Sequence, residues 1–279
     1  MKDSLTQILV HLDGTARSAD RLAVARQFAE AQGAAVAALY AVTPALVQLP
    51  FAPEAGASAA AFLQEIDDGR RDAARAAFDL VRPTLGERAT WAEIDDYPIF
   101  AAFSEQALYA DLLILGQHNP SDPAVGVPAD FPETVIAISG KPALVVPYQG
   151  APSTVGQNIV IAWKPTREAA RAVGAALPLL QRARSVHVLS WYPEGASVTG
   201  DRLDLAKYLQ VRGIKAAWHH DRGDEPDSLG ELLLSRAFDL GADLLVMGCY
   251  GHSRAREWIL GGSSRTVLQA MTLPVLMAH

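Results

Sequence analysis

The chain has 279 residues, half of them hydrophobic and 20% charged, with a formal net charge of −7. Such a composition excludes a disordered chain, and the acidic balance argues against bulk binding to nucleic-acid phosphates. A single cysteine, Cys249, excludes an intrachain disulfide or a multi-cysteine zinc site and fits a reducing compartment.

In chain order, short apolar runs alternate with longer runs of helical spacing. QILVHLD (7–13) predicts a strand, and SADRLAVARQFAEAQG (18–33) predicts a helix stopped by Gly33. AAVAALYAV (34–42) follows as a strand, and the Ala-rich stretch 59–86 reads as a helix. Then come strand 90–95, helix 98–110, strand ADLLILG (110–116), a short helix 133–139 and strand KPALVVP (141–147). The segment 148–157, rich in turn-forming residues, is a linker. After it the order restarts: strand 158–164, helix 166–184, strand 185–193, helix 200–213, strand 214–221, helix 228–241, strand ADLLVMG (242–248), short helix 264–271 and strand LPVLMAH (273–279).

The chain is therefore written twice. Ala110 and Pro142 of the first half recur as Ala242 and Pro274 of the second at one spacing. Near-continuous apolar strands between helices imply a parallel sheet covered on both faces. The expected fold is α/β, with two repeated open parallel-sheet (Rossmann-like, five-stranded) domains at residues 1–150 and 151–279. The first half carries an extra segment, 43–58. The last strands are apolar and nearly free of charge, so the two domains are expected to pair through them, with a homo-oligomer as a further outcome. Neither the N-terminus nor any later run has the pattern of a signal peptide or a membrane span, so the default location is the cytoplasm, with no membrane or nucleic-acid partner.

Residues 247–267, MGCYGHSRAREWILGGSSRTV, do not suit a core. In open α/β sheets ligands bind beyond the C-terminal strand ends, and Met247-Gly248 is such an end. Glycines at 248 and 251 admit a ligand to the backbone, and Ser263 and Ser264 after Gly261 and Gly262 open a helix whose N–H groups attract anions. Arg254, Arg256, Arg265 and His252 add positive charge. The spacing Gly-x2-Gly-x9-Gly is neither a phosphate loop of the Gly-Lys-Ser/Thr kind nor a dinucleotide fingerprint. A flexible glycine-rich loop with a solvated basic face is the plain alternative.

On these residues, and on five strand-like runs per half, the chain resembles the universal stress protein family in its tandem two-domain form. GHSRAREWILGG is the most specific part. In ATP-binding members of the family that loop holds the phosphates and ribose, and an Asp after the first strand lies at the nucleoside; other members bind no nucleotide. The resemblance implies a non-catalytic stress-response protein. Its two halves depart from the pattern in opposite ways. The first keeps Asp13, but its loop has Asn119 and Ala129-Asp130 in place of glycines, with Asp122, Asp130 and four prolines besides, so no ATP is expected there. The second keeps the loop but has Lys164 in place of the acid. A nucleotide in the second half would have Ala162, Trp163, Lys164 and Trp191 by base and ribose. Met247, Gly248, Gly251, Gly261, Gly262, Ser263 and Ser264 would line the phosphates, with no metal beyond the Mg accompanying ATP.

Other motifs read more plainly. His219 and His220 are adjacent on a strand and point to opposite faces, so they cannot easily share an ion. Cys249 reads as a space-filler and Asp95-Asp96 as a strand end. No Ser-His-Asp set with a nucleophile elbow is present. The functional alternatives are a slow nucleotide hydrolase or nucleotidyl-transfer enzyme on the same loop, and an interaction scaffold with both pockets closed.

Overall fold

A computed structural model describes residues 4–48, 56–94, 97–122, 124, 126–149, 153–191, 201–220, 228–249 and 262–279. Of the residues singled out above, Asp95, Asp96, Gly251, His252, Arg254, Arg256 and Gly261 lie outside that set. The chain divides into two compact units, Leu5–Ala151, and Pro152–His279 with Met1–Ser4.

In the first unit the strands are β1 (Gln7–Leu12), β2 (Ala35–Tyr40), β3 (Ala89–Glu93), β4 (Leu112–Gly116) and β5 (Ala143–Val146). They are parallel, in the order β3-β2-β1-β4-β5. The helices are α1 (Arg17–Gln32), α2 (Ala45–Gln48), α3 (Gly56–Leu85), α4 (Ile99–Ala107) and α5 (Phe131–Ser139). The second unit has β6 (Asn158–Ala162), β7 (Ser185–Ser190), β8 (Ala217–His220), β9 (Leu244–Gly248) and β10 (Val275–Ala278). Its parallel order is β10-β9-β6-β7-β8. Its helices are α6 (Arg167–Leu180), α7 (Leu205–Gln210), α8 (Leu229–Asp239) and α9 (Ser263–Ala270).

Both units are therefore doubly wound α/β folds with the same strand order. The central strands are buried along most of their length because helices cover both faces, whereas the unit-edge strands β3 and β8 are largely exposed. The repeat extends to single hydrogen bonds. Leu113 N donates to Pro142 O at 3.0 Å, and Leu245 N to Pro274 O at 3.0 Å. Asp111, at the start of β4, accepts from the backbone N–H groups of Thr6 and Gln7. Asp243, at the start of β9, accepts from those of Gly156, Gln157 and Asn158. Each carboxylate thus ties down the entry to its unit's first strand.

Two elements differ from the sequence expectation. The helix expected over 200–213 is only Leu205–Gln210, because the Asp204 carboxylate accepts from Lys207 N and starts the helix there. Part of the extra segment is also helical, as α2.

Candidate nucleotide site

The strand order of the second unit reverses at β6, which has β7 on one side and β9 on the other. This is the switch point where doubly wound sheets open a crevice at their C-terminal edge. The end of β6 supplies Ala162, Trp163 and Lys164, all half-buried. Trp163 N donates to Leu189 O at 2.8 Å and Lys164 O accepts from Thr166 N at 2.7 Å, so the chain turns at once into α6. Thr166 caps that helix by accepting from Ala169 N. Trp191 follows the end of β7 and is buried. Trp163 also lines an apolar groove of about 590 Å³ with Val173, Leu205 and Tyr208.

The end of β9 supplies buried Met247, then Gly248 and buried Cys249. Here the reason for a glycine differs from the one the sequence suggested. A Cβ on Gly248 would stand 2.4 Å from Ala169 N and 2.6 Å from Glu168 C. The missing side chain makes room for the first turn of α6, not for an anion. Cys249 N donates to Ala278 O at 3.0 Å, which takes that amide out of any cradle. Glu168, in the same turn, is enclosed. Burial favours its neutral form, but hydrogen bonding to Arg167 and that residue's charge outweigh this and hold its pKa below the usual range.

The start of α9 is better placed. The helix links two parallel strands, so its N-terminus lies at the C-terminal edge of the sheet. Gly262 is the N-cap and supplies no side-chain cap. Its carbonyl accepts from Arg265 N and Thr266 N, which leads Ser263 and Ser264 into the first turn. Gly230 of α8 positions this turn, since a Cβ there would fall 2.9 Å from Ser263 O and 2.7 Å from Thr266 Cβ.

The first unit carries the matching crevice and fills it. Asp13 accepts from Thr15 N, Thr15 Oγ1 and Arg21 Nη2. Arg21 Nε donates to His11 O, and its Nη1 atom occupies the space a Cβ on Gly116 would need. The remaining free volume, about 30 Å³, suits a few waters. Beside it, Asp130 occupies the N-cap position of α5 without a side-chain capping bond, followed by Phe131 and Pro132. Nothing in the sequence pattern marked Arg21 as an internal cation; one arginine among the apolar spacing of α1 reads as surface. Among the described residues no group of three or more His, Cys, Asp or Glu could hold a metal, and no described helix is long and apolar enough to cross a membrane.

Two doubly wound units with switch-point crevices define an α/β protein of the Rossmann-like class. Residues 156–279, which lie in the second unit, match the Universal stress protein family. The fold of a universal stress protein from Archaeoglobus fulgidus is similar, with a TM-score of 0.66 and 15% identity over 98% of this chain and 95% of that one. A functionally unknown protein from Pseudomonas aeruginosa gives a TM-score of 0.62 and 17% identity over 98% and 92%. No curated protein matches the sequence.

Proposed function

We propose that the chain is a non-catalytic cytoplasmic stress-response protein made of two universal-stress-protein domains, with one adenine-nucleotide seat in the second. ATP, with its Mg, would lie with its base and ribose by Ala162, Trp163, Lys164 and Trp191. Its phosphates would lie at Gly251 and at Gly261 to Ser264. One contrast carries this reading. The helix that follows the fourth strand begins Asp130-Phe131-Pro132 in the first unit and Gly262-Ser263-Ser264 in the second. The first start carries a negative charge and a proline without an N–H. The second has neither, and a helix N-terminus of that kind favours an anion.

A closed interaction scaffold is the second reading, favoured by the packing of Gly248 on α6 and by the internally bonded Cys249 amide. Equilibrium dialysis of the full chain with ATP, followed by product analysis, separates the readings. Retained and unchanged ATP supports the nucleotide seat, ADP or AMP indicates a hydrolase or transferase, and no retention supports the scaffold.

A further inference from the structure

We propose that His187 of β7 and His219 of β8 form a two-imidazole site for a borderline divalent transition-metal ion such as Zn²⁺. The site is separate from the switch-point crevice and does not depend on the nucleotide reading. In the register of these parallel strands His187 is opposite Ala217 and Leu189 is opposite His219. Side chains alternate along a strand, so positions 187, 189, 217 and 219 share one face. His187 Nδ1 and His219 Nε2 lie 3.1 Å apart, with ring centroids separated by 5.3 Å and ring planes tilted by 32°. His219 is exposed and His187 half-buried, at the edge strand of the unit, so an ion can reach the pair from solvent.

The separation matches a chelate. An ion about 2.0–2.1 Å from each nitrogen would close an N–metal–N angle of roughly 100°, close to tetrahedral. In the free protein one ring's N–H donates to the other's lone pair. For both lone pairs to face an ion, that proton moves to the far nitrogen of its own ring, a tautomer change with no net proton lost. Neutral imidazole pairs select Zn²⁺, Cu²⁺ or Ni²⁺ over the hard ions Mg²⁺ and Ca²⁺. Among the described residues the site has two protein ligands, so water completes the coordination and the ion exchanges readily.

His220 is the built-in control. It lies on the opposite face, stacked on Trp218 at 5.6 Å with a 16° tilt. The sequence reading that His219 and His220 cannot share an ion agrees with this. The partner of His219 lies 32 residues away on the neighbouring strand, out of reach of any local motif.

The test is calorimetric titration of the full chain with ZnCl₂, with MgCl₂ as a second probe and circular dichroism of each variant to verify folding. The expected result is one Zn²⁺ bound per chain, no heat with Mg²⁺, and affinity weakened ~10-fold or more in both His187→Ala and His219→Ala, since losing even an outer-shell partner costs that much. His220→Ala should bind as the parent does. Absence of Zn²⁺ binding up to millimolar concentration, or unchanged binding in the folded His187→Ala and His219→Ala variants, would overturn the assignment.

Discussion

Arg21 Nη2 stands 2.8 Å from Asp13 Oδ2, with only 4% and 5% of the two side chains exposed. This pair turns the first unit's crevice into a closed polar core. Removing one partner leaves the other charge buried, so Arg21→Ala is expected to cost about 3–5 kcal/mol of stability. The double variant Arg21→Ala/Asp13→Ala should cost less than the sum of the singles, because neither stranded charge remains. Urea denaturation of the three variants measures both quantities, and a loss under about 1 kcal/mol for Arg21→Ala would remove the pair's assigned role.

His11, beneath this pair, sets a pH window. Its Nε2 donates to Ala41 O, and its ring packs against Phe103 and Phe131. Burial, and then the Arg21 charge, lower its pKa from 6.5 to about 4. Between those values the unfolded chain binds the proton and the folded chain does not. The stability contribution is therefore complete above pH 6.5, falls as the pH drops towards 4, and is flat below, by about 3 kcal/mol in all. Unfolding midpoints from pH 4 to 7.5 should show this slope, reduced by about one proton in His11→Gln. An unchanged slope in that variant would place the titration elsewhere. Asp13 acts lower still. Burial would raise its pKa, but Arg21, His11 and Thr15 outweigh that, so its contribution holds above its unfolded value and is lost only in stronger acid.

Gly248 gives a test that separates packing from ligand binding. A Cβ there meets helix backbone, which cannot rotate away as a side-chain tip can. Gly248→Ala is therefore expected to destabilise the protein by about 1–3 kcal/mol with no ligand present, as overpacking does. Thermal unfolding of the ligand-free variant reads this directly. A variant as stable as the parent would return Gly248 to the role of an open approach for a phosphate.

How much of this was legible beforehand follows from the range of the interactions. The parallel sheet covered on both faces was readable because its strands are near-continuous apolar runs and the pattern is written twice, down to the shared ADLL of Asp111 and Asp243; the strand order itself came from the structure. The start of α9 was readable to within one residue because the paired glycines and serines are a local signal, although Gly262 and not a serine stands at the N-cap. Arg21 against Gly116, Gly248 against Ala169 and His187 beside His219 were not readable. Each joins residues tens of positions apart through the packing of a helix on a strand or of one strand on its neighbour, and no local spacing encodes that. The helix over 200–213 was overread for the opposite reason: its apolar spacing extends past Asp204, and the capping bond to Lys207 overrides it.

The helix-start contrast between the units yields a substitution in which stability and binding move apart. Gly262 has φ −57° and ψ 160°, a conformation open to any L-residue, and it occupies the N-cap of α9. Replacing it with aspartate installs the residue type that stands at the N-cap position of α5 in the first unit. As an N-cap, Asp is at least as good as Gly, so Gly262→Asp should leave folding unchanged or improve it by a few tenths of a kcal/mol. Its carboxylate would also occupy the helix N-terminus with a fixed negative charge, directly where a phosphate would be held. Repulsion together with the lost amide donors is expected to weaken ATP retention by ~10-fold or more, a loss of about 1.4 kcal/mol. Dialysis with ATP measures the binding and urea denaturation the stability of the same preparation. If the parent retains ATP and a fully folded Gly262→Asp retains it equally well, the phosphates do not lie at the start of α9, and the nucleotide seat must be sought elsewhere in the second unit.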